Sequence, residues 1–183
     1  MTQCIVIGLN ELGRSIAIAL ALLTDHRIIL LDSTYVDKEE SPNTGYATED
    51  RGYLRTEAVA FAIEDVVPGG LARLVRVPQA DLAGSAAVIA DLCTGSVETI
   101  VIFCAGKPST KTYLHKKIAS NCLLLVSCGY DNEGQPVVKT DQVYPVADVL
   151  ALEDFGYTPK LKSVNKRLLQ QLLGHVLACP KSE

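Results

Sequence analysis

The chain has 183 residues, 48% of them hydrophobic and 21% charged, which suits one core-forming domain and excludes disorder as its main state. Its net charge of −4 leaves no basic face to neutralise phosphates, which argues against a general nucleic-acid binder. The local exception, Lys160, Lys162, Lys166 and Arg167, reads as the solvated side of one helix.

Cys4-Ile5-Val6-Ile7 is a short apolar run of the kind that forms a buried parallel strand. It leads into Gly8-Leu9-Asn10-Glu11-Leu12-Gly13 and an apolar helix over 15–23, then a second run, Ile28-Ile29-Leu30-Leu31, that ends on Asp32. Strand, glycine turn, helix, strand and an acid about 20 residues beyond the glycines make a Rossmann-type nucleotide fingerprint. Gly8 allows the tight turn, and the helix start offers N–H groups and a positive dipole end to a phosphate. Asn10 stands where the middle glycine would let backbone approach a pyrophosphate. Gly8 and Gly13 therefore serve either a ligand or close strand–helix packing, and Asp32 is either a ribose acceptor or a plain strand end.

The polar stretch 33–51, with Pro42, Asn43 and Gly45, has the length of a binding loop. Helical spacing resumes at Leu54 and runs through Ala58, Phe61, Ala62 and Val66 to a stop at Pro68-Gly69-Gly70. Residues 71–77 read as a strand with Arg73 and Arg76 at its margins, and 74–77 is the part predicted to join the parallel sheet. A helix is expected over 84–92 and a central buried strand over 99–104 (TIVIFC). Ser109 caps a helix running to Ile118, and 123–128 gives a further strand. The turn Asp131-Asn132-Glu133-Gly134 then leads to an antiparallel partner over 135–139. Over 161–177, Leu161, Val164, Leu168, Leu172 and Val176 form one apolar stripe, widened by Leu169, Leu173 and Leu177. It is either core or a dimer face. The alternation predicts a mainly parallel α/β sheet with helices on both faces, a terminal hairpin and a C-terminal amphipathic helix.

Of the six cysteines, Cys4, Cys104, Cys122 and Cys128 lie in or beside apolar runs, where cysteine behaves as a small hydrophobe. No CxxC pair occurs, and His26, His115 and His175 share no ligand spacing, so no zinc site is expected. Cys128, before Gly129, has no identifiable base beside it, and Cys179 is the cysteine expected to be exposed. No stretch reaches a membrane span and no basic leader is seen, so a cytoplasmic location is expected.

The order of these landmarks resembles the ThiF/MoeB/E1-like superfamily over residues 3–140, whose members adenylate the C-terminus of ubiquitin-like or sulfur-carrier proteins. The resemblance rests on the turn Gly8–Gly13, the strand ending in Asp32, and the loop with Ser41-Pro42-Asn43. It continues in the segment from Thr48 to Ala58, which looks like the family's D-x-G-x-x-K-x-x-A, and in Val101-Ile102-Phe103-Cys104-Ala105-Gly106-Lys107, placed like the family's C-T-D-N strand end. It implies a Rossmann-like domain over 1–150, with 151–183 as an extension that belongs to the same domain or to a dimer contact. ATP is the implied cofactor. The implied partners are a second subunit, identical or not, and a ubiquitin-like or sulfur-carrier protein.

The departures fall on the chemistry. Gly106 replaces the metal-binding aspartate, and Arg55 replaces the phosphate-contacting lysine, keeping charge but changing geometry. Asn43 is followed by Thr44-Gly45-Tyr46 with no arginine, and Asn10-Glu11 replaces a glycine pair, Glu11 putting a carboxylate at the anion site. Losing charge stabilisation at the α-phosphate removes most of what the reaction needs. The resemblance so altered implies a catalytically degenerate member acting through protein contact, with Gly8, Asn10, Glu11, Gly13, Asp32, Asn43, Arg55, Gly106 and Lys107 as candidate nucleotide-site residues. Arg55 is otherwise a solvated first-turn residue or ion-pair partner, and Lys107 lies beside the Ser109 cap. Two alternatives stay open: an active minimal ATP-dependent adenylyltransferase, and an NAD-binding regulatory or oxidoreductase domain. The second arises because Gly8 to Arg14 with Asp32 also looks like potassium-channel regulatory nucleotide domains.

Overall fold

The computed structural model describes residues 2–37, 45–78, 87–88, 91–92, 98–104, 124–130 and 136–142. In chain order these form β1 (Thr2–Ile7), α1 (Glu11–Leu23), β2 (Arg27–Leu31), α2 (Arg55–Val66), β3 (Leu74–Val77), β4 (Glu98–Phe103), β5 (Leu124–Tyr130) and β6 (Pro136–Gln142). The strands make one sheet in the order β3-β2-β1-β4-β5-β6. The first five are mutually parallel, and β6 returns antiparallel to β5. This is the Rossmann-like α/β architecture expected from the sequence, with the 99–104 run in the sheet's interior.

The reason for the sheet lies in its runs. Cys4, Val6, Ile28, Leu30, Ile100 and Ile102 face α1 and α2 in one continuous core with Leu12, Ile16, Leu20, Val59 and Ile63. The alternate residues Ile5, Ile29, Val101 and Phe103 are equally buried, so both sheet faces are covered, as parallel sheets require. Two polar residues of the strands, Gln3 and Thr99, are buried together in this interior; the Gln3 amide donates to Thr99 Oγ1 at 2.8 Å and to the Leu92 carbonyl, satisfying a group that would otherwise be costly to bury.

Helix α1 begins at Glu11, four residues before the apolar spacing alone indicates, because Asn10 caps it. It ends where Thr24 turns extended, its Oγ1 donating to the Leu20 carbonyl at 2.7 Å. Arg73 closes that end. Its Nη1 donates to the Thr24 carbonyl at 2.6 Å and its Nη2 to the Ala21 carbonyl at 3.1 Å, a cation where the helix dipole is negative. The expected strand over 71–77 is accordingly shorter. Gly70–Arg73 is a 3₁₀ turn following Gly69 at φ 79°, and only Leu74–Val77 pairs with β2. Glu64 accepts from the Gly69 and Leu71 N–H groups (3.0 and 3.1 Å), which holds its carboxyl below the usual carboxylate range. The expected helix over 84–92 is seen at residues 87–88 and 91–92. The helix over 109–118 and the stripe over 161–177 lie outside the described residues.

Candidate functional site

Strand order reverses across β1 and β4, so the crevice between their carboxyl ends is where an open α/β sheet takes a ligand. Gly8 leaves β1 with φ 83°, a left-handed turn that a side chain would strain. Gly13 makes the next contact possible. A Cβ there would lie 2.0 Å from the Gly8 carbonyl oxygen and 3.2 Å from the Cβ of Cys104, so α1 rests directly on the turn and on β4.

Asn10 spans the crevice. Its Oδ1 accepts from the Gly13 N–H at 3.0 Å, and its Nδ2 donates to the Cys104 carbonyl at 2.8 Å. Cys104 N–H in turn donates to the Ile7 carbonyl at 2.8 Å. One side chain thus satisfies a free N–H of the helix start and ties the ends of β1 and β4 together. Glu11, half-buried, is the first residue of α1 and places a carboxylate in its first turn.

Asp32 closes the other side. Oδ2 accepts from the Leu9 N–H at 2.6 Å, while Oδ1 accepts from the Thr34 N–H at 2.8 Å and the Thr34 hydroxyl at 2.6 Å. The carboxylate is therefore fixed against the glycine turn rather than free at a strand end. Beyond it, the start of the polar loop is pinned. Arg55 N–H donates to the Thr34 carbonyl at 3.0 Å, Val36 N–H to the Tyr53 carbonyl at 2.9 Å, and Tyr35 bridges Leu54 antiparallel.

The loop then folds back over the turn. Tyr46 is buried, its hydroxyl donating to the Leu9 carbonyl. Two guanidinium carbons stand over its ring, that of Arg14 at 5.6 Å from the centroid and that of Arg55 at 5.7 Å, both within cation–π reach. The structure thus gathers Gly8, Asn10, Glu11, Gly13, Asp32 and Arg55 at one sheet edge. Asn43, Gly106 and Lys107 lie outside the described residues. Among the described residues, no group of three or more His, Cys, Asp or Glu is placed to hold a metal, and no helix is long and apolar enough to cross a membrane.

No family profile matches the sequence, and no curated protein matches it. Solved structures do. The chain is similar to the Escherichia coli tRNA N6-threonylcarbamoyladenosine dehydratase TcdA in complex with AMP, with a TM-score of 0.55 and 20% identity over 69% of this chain and 50% of that one. It is similar to E. coli MccB with ATP, with a TM-score of 0.57 and 16% identity over 75% of this chain and 41% of the other. PaaA gives a TM-score of 0.50 and 17% identity over 72% and 39%. The likeness is one of fold, and the chain spans half or less of each of these structures.

Arg14 and Tyr46 were not among the residues that the sequence singled out for a site. Arg14 stands right after Gly13 with no motif to mark it, and Tyr46 registers in sequence only as the place where an arginine is missing. Their meeting depends on the fold of the loop and not on local spacing.

Proposed function

We propose that this chain is a ThiF/E1-like protein that does not carry out adenylation, binds ATP or NAD weakly or not at all through its glycine turn, and acts by contact with a protein partner. The fold shared with TcdA, MccB and PaaA supports the superfamily. The observation that carries the rest is the Asn10 staple, whose two hydrogen bonds use the helix N–H and the β4 carbonyl at the crevice a pyrophosphate would enter. Glu11 adds a negative charge at the same helix start, where a triphosphate would need a positive field. In sequence, Gly106 offers no carboxylate for magnesium. A dinucleotide is disfavoured for the same reason as ATP, since Asn10 occupies the approach that a middle glycine would leave open.

A partner is favoured by the apolar surface that the described residues expose. Leu22 and Leu23 end α1 in solvent, and Tyr35, Tyr53 and Phe61 form a second exposed group, Tyr53 and Phe61 packed edge to face at 5.9 Å. The partner is a second subunit, identical or not, or a ubiquitin-like or sulfur-carrier protein. The deciding experiment is ATP–pyrophosphate exchange with magnesium and candidate ubiquitin-like tails. Exchange at background supports the proposal. Exchange clearly above background, lost in Arg55→Ala, overturns it in favour of a minimal adenylyltransferase.

A further inference from the structure

The polar loop returns over the glycine turn on one buried side chain. From Gly45 to Tyr53 the single buried residue is Tyr46, while Gly45, Ala47, Thr48 and Glu49 around it are exposed. The Tyr46 hydroxyl donates to the Leu9 carbonyl, and the Leu9 N–H donates to Asp32. Both backbone groups of this buried turn residue are therefore held by side chains that follow β2. The Tyr46 ring lies within 6 Å of the guanidinium carbons of Arg14 and Arg55, so it is seated against the starts of α1 and α2.

The stretch beyond Tyr46 closes on itself. Asp50 accepts from the Ala47 N–H through Oδ2 at 2.7 Å and donates its own N–H to the Ala47 carbonyl at 3.1 Å. Arg51 N–H donates to the Thr48 carbonyl at 3.3 Å. Such bonds travel with the segment and do not tie it to the sheet. Gly45 and Gly52 bracket it at φ 80° and 85°, where a side chain would be strained. At Gly45 a Cβ would also meet Arg14 Nη1 at 3.3 Å, so glycine lets the chain lie against α1. At Gly52 the chain joins a fixed ladder, its N–H donating to the Val36 carbonyl at 3.1 Å and the Tyr53 carbonyl accepting from Val36 N–H at 2.9 Å. A self-contained turn between two glycine pivots, seated by one buried ring, has the construction of a moving element. We propose that residues 45–52 form a hinged flap, that Tyr46 latches it onto the glycine turn, and that it opens as a unit while the sheet stays folded. Opening uncovers the Leu9 carbonyl and the Arg14 side chain. The flap is thus a second control on access to the turn, separate from the bond of Asn10 to Cys104, and it does not depend on the non-adenylating reading.

The test is trypsin digestion of the full chain across urea concentrations below the unfolding transition. Arg51 is exposed inside the flap, whereas Arg27 is exposed as the first residue of β2, so cleavage after it requires the sheet to open. The bond after Arg51 is expected to be cut with little dependence on urea, and the bond after Arg27 with a steep one. Tyr46→Phe, which loses the bond to Leu9, should speed cleavage after Arg51 about fivefold and keep its shallow urea dependence. Gly45→Ala should speed it as well, and Tyr35→Phe, at an exposed tyrosine, should not. In Tyr46→Ala, p-cresol should slow the cleavage by refilling the vacated space and restoring a hydroxyl to Leu9, and toluene should slow it less. Should Tyr46→Ala not fold, Tyr46→Phe and Gly45→Ala decide, with circular dichroism confirming that both are folded. Equal urea dependence at the two bonds, a Tyr46→Phe rate no higher than that of the wild type, or a folded Tyr46→Ala indifferent to p-cresol overturns the flap. Pyrophosphate exchange is not among these readouts, so failure of the flap and failure of the proposed function are distinguished.

Discussion

Replacing Asn10 by glycine should cost stability and open the crevice in one step. As a helix cap, glycine is only a few tenths of a kcal/mol poorer than asparagine. The larger loss is the 2.8 Å bond from Nδ2 to the Cys104 carbonyl, about 0.5–1.5 kcal/mol for a hydrogen bond of this kind. Together they amount to about 1–2 kcal/mol, or about 3–6 °C in Tm for a chain of this size. Asn10→Asp separates the two effects. It keeps the Oδ1 cap on Gly13 but sets an oxygen against the Cys104 carbonyl, so it should destabilise at least as much as glycine despite being an equally good cap. The assay is thermal unfolding of the three proteins with and without saturating ATP. ATP should raise the Tm of Asn10→Gly more than that of the wild type, because ligand at 100 times Kd contributes about 2.7 kcal/mol. A neutral Asn10→Asp would show that the bond to β4 contributes nothing. A glycine variant that responds to ATP no better than the wild type would show that Asn10 is not what closes the site.

Three further outcomes test the frame around the crevice. Gly13→Ala gains helix propensity of about 1 kcal/mol but drives a methyl to 2.0 Å from the Gly8 oxygen, and overpacking of about 1–3 kcal/mol or more should win, lowering the urea midpoint. Arg73→Met should cost about 2 kcal/mol through its lost charge-assisted bonds to the carbonyls at the end of α1, seen as a lower midpoint with an unchanged m-value. Glu64 has a folded pKa below its unfolded one, so its contribution is present above the unfolded value and lost as pH falls through the folded value. The stability gap between wild type and Glu64→Gln should therefore be seen at neutral pH and close in acid, measured by urea unfolding across that range.

Much of this architecture is written in local pattern. Parallel strands buried on both faces need unbroken apolar runs, so Cys4-Ile5-Val6-Ile7, Ile28-Ile29-Leu30-Leu31 and TIVIFC announce themselves, and the turn at Asp131–Gly134 announces the antiparallel β6. Where a side chain overrides periodicity, the pattern misleads. Asn10 starts α1 earlier than its apolar spacing, and Arg73 belongs to a turn that clamps α1 instead of to β3. The site is less legible still. The bond from Tyr46 to Leu9 joins residues 37 apart, and the shared ring of Arg14 and Arg55 exists only once that loop has folded back.

Asn10 shows why a departure from a motif has to be read as chemistry and not as a blank. By sequence it is a missing glycine, a position where an ability has been dropped. In the fold it is a new link, with an acceptor facing α1 and a donor facing β4, at the one place where strand order reverses. A glycine there would leave the Gly13 N–H and the Cys104 carbonyl to a ligand or to water. An asparagine satisfies both within the chain, so a ligand that needs either group has to compete with Asn10 for it. The cap on α1 and the tie to β4 are thus carried by one side chain, and Asn10→Asp, which keeps the first and loses the second, should separate them.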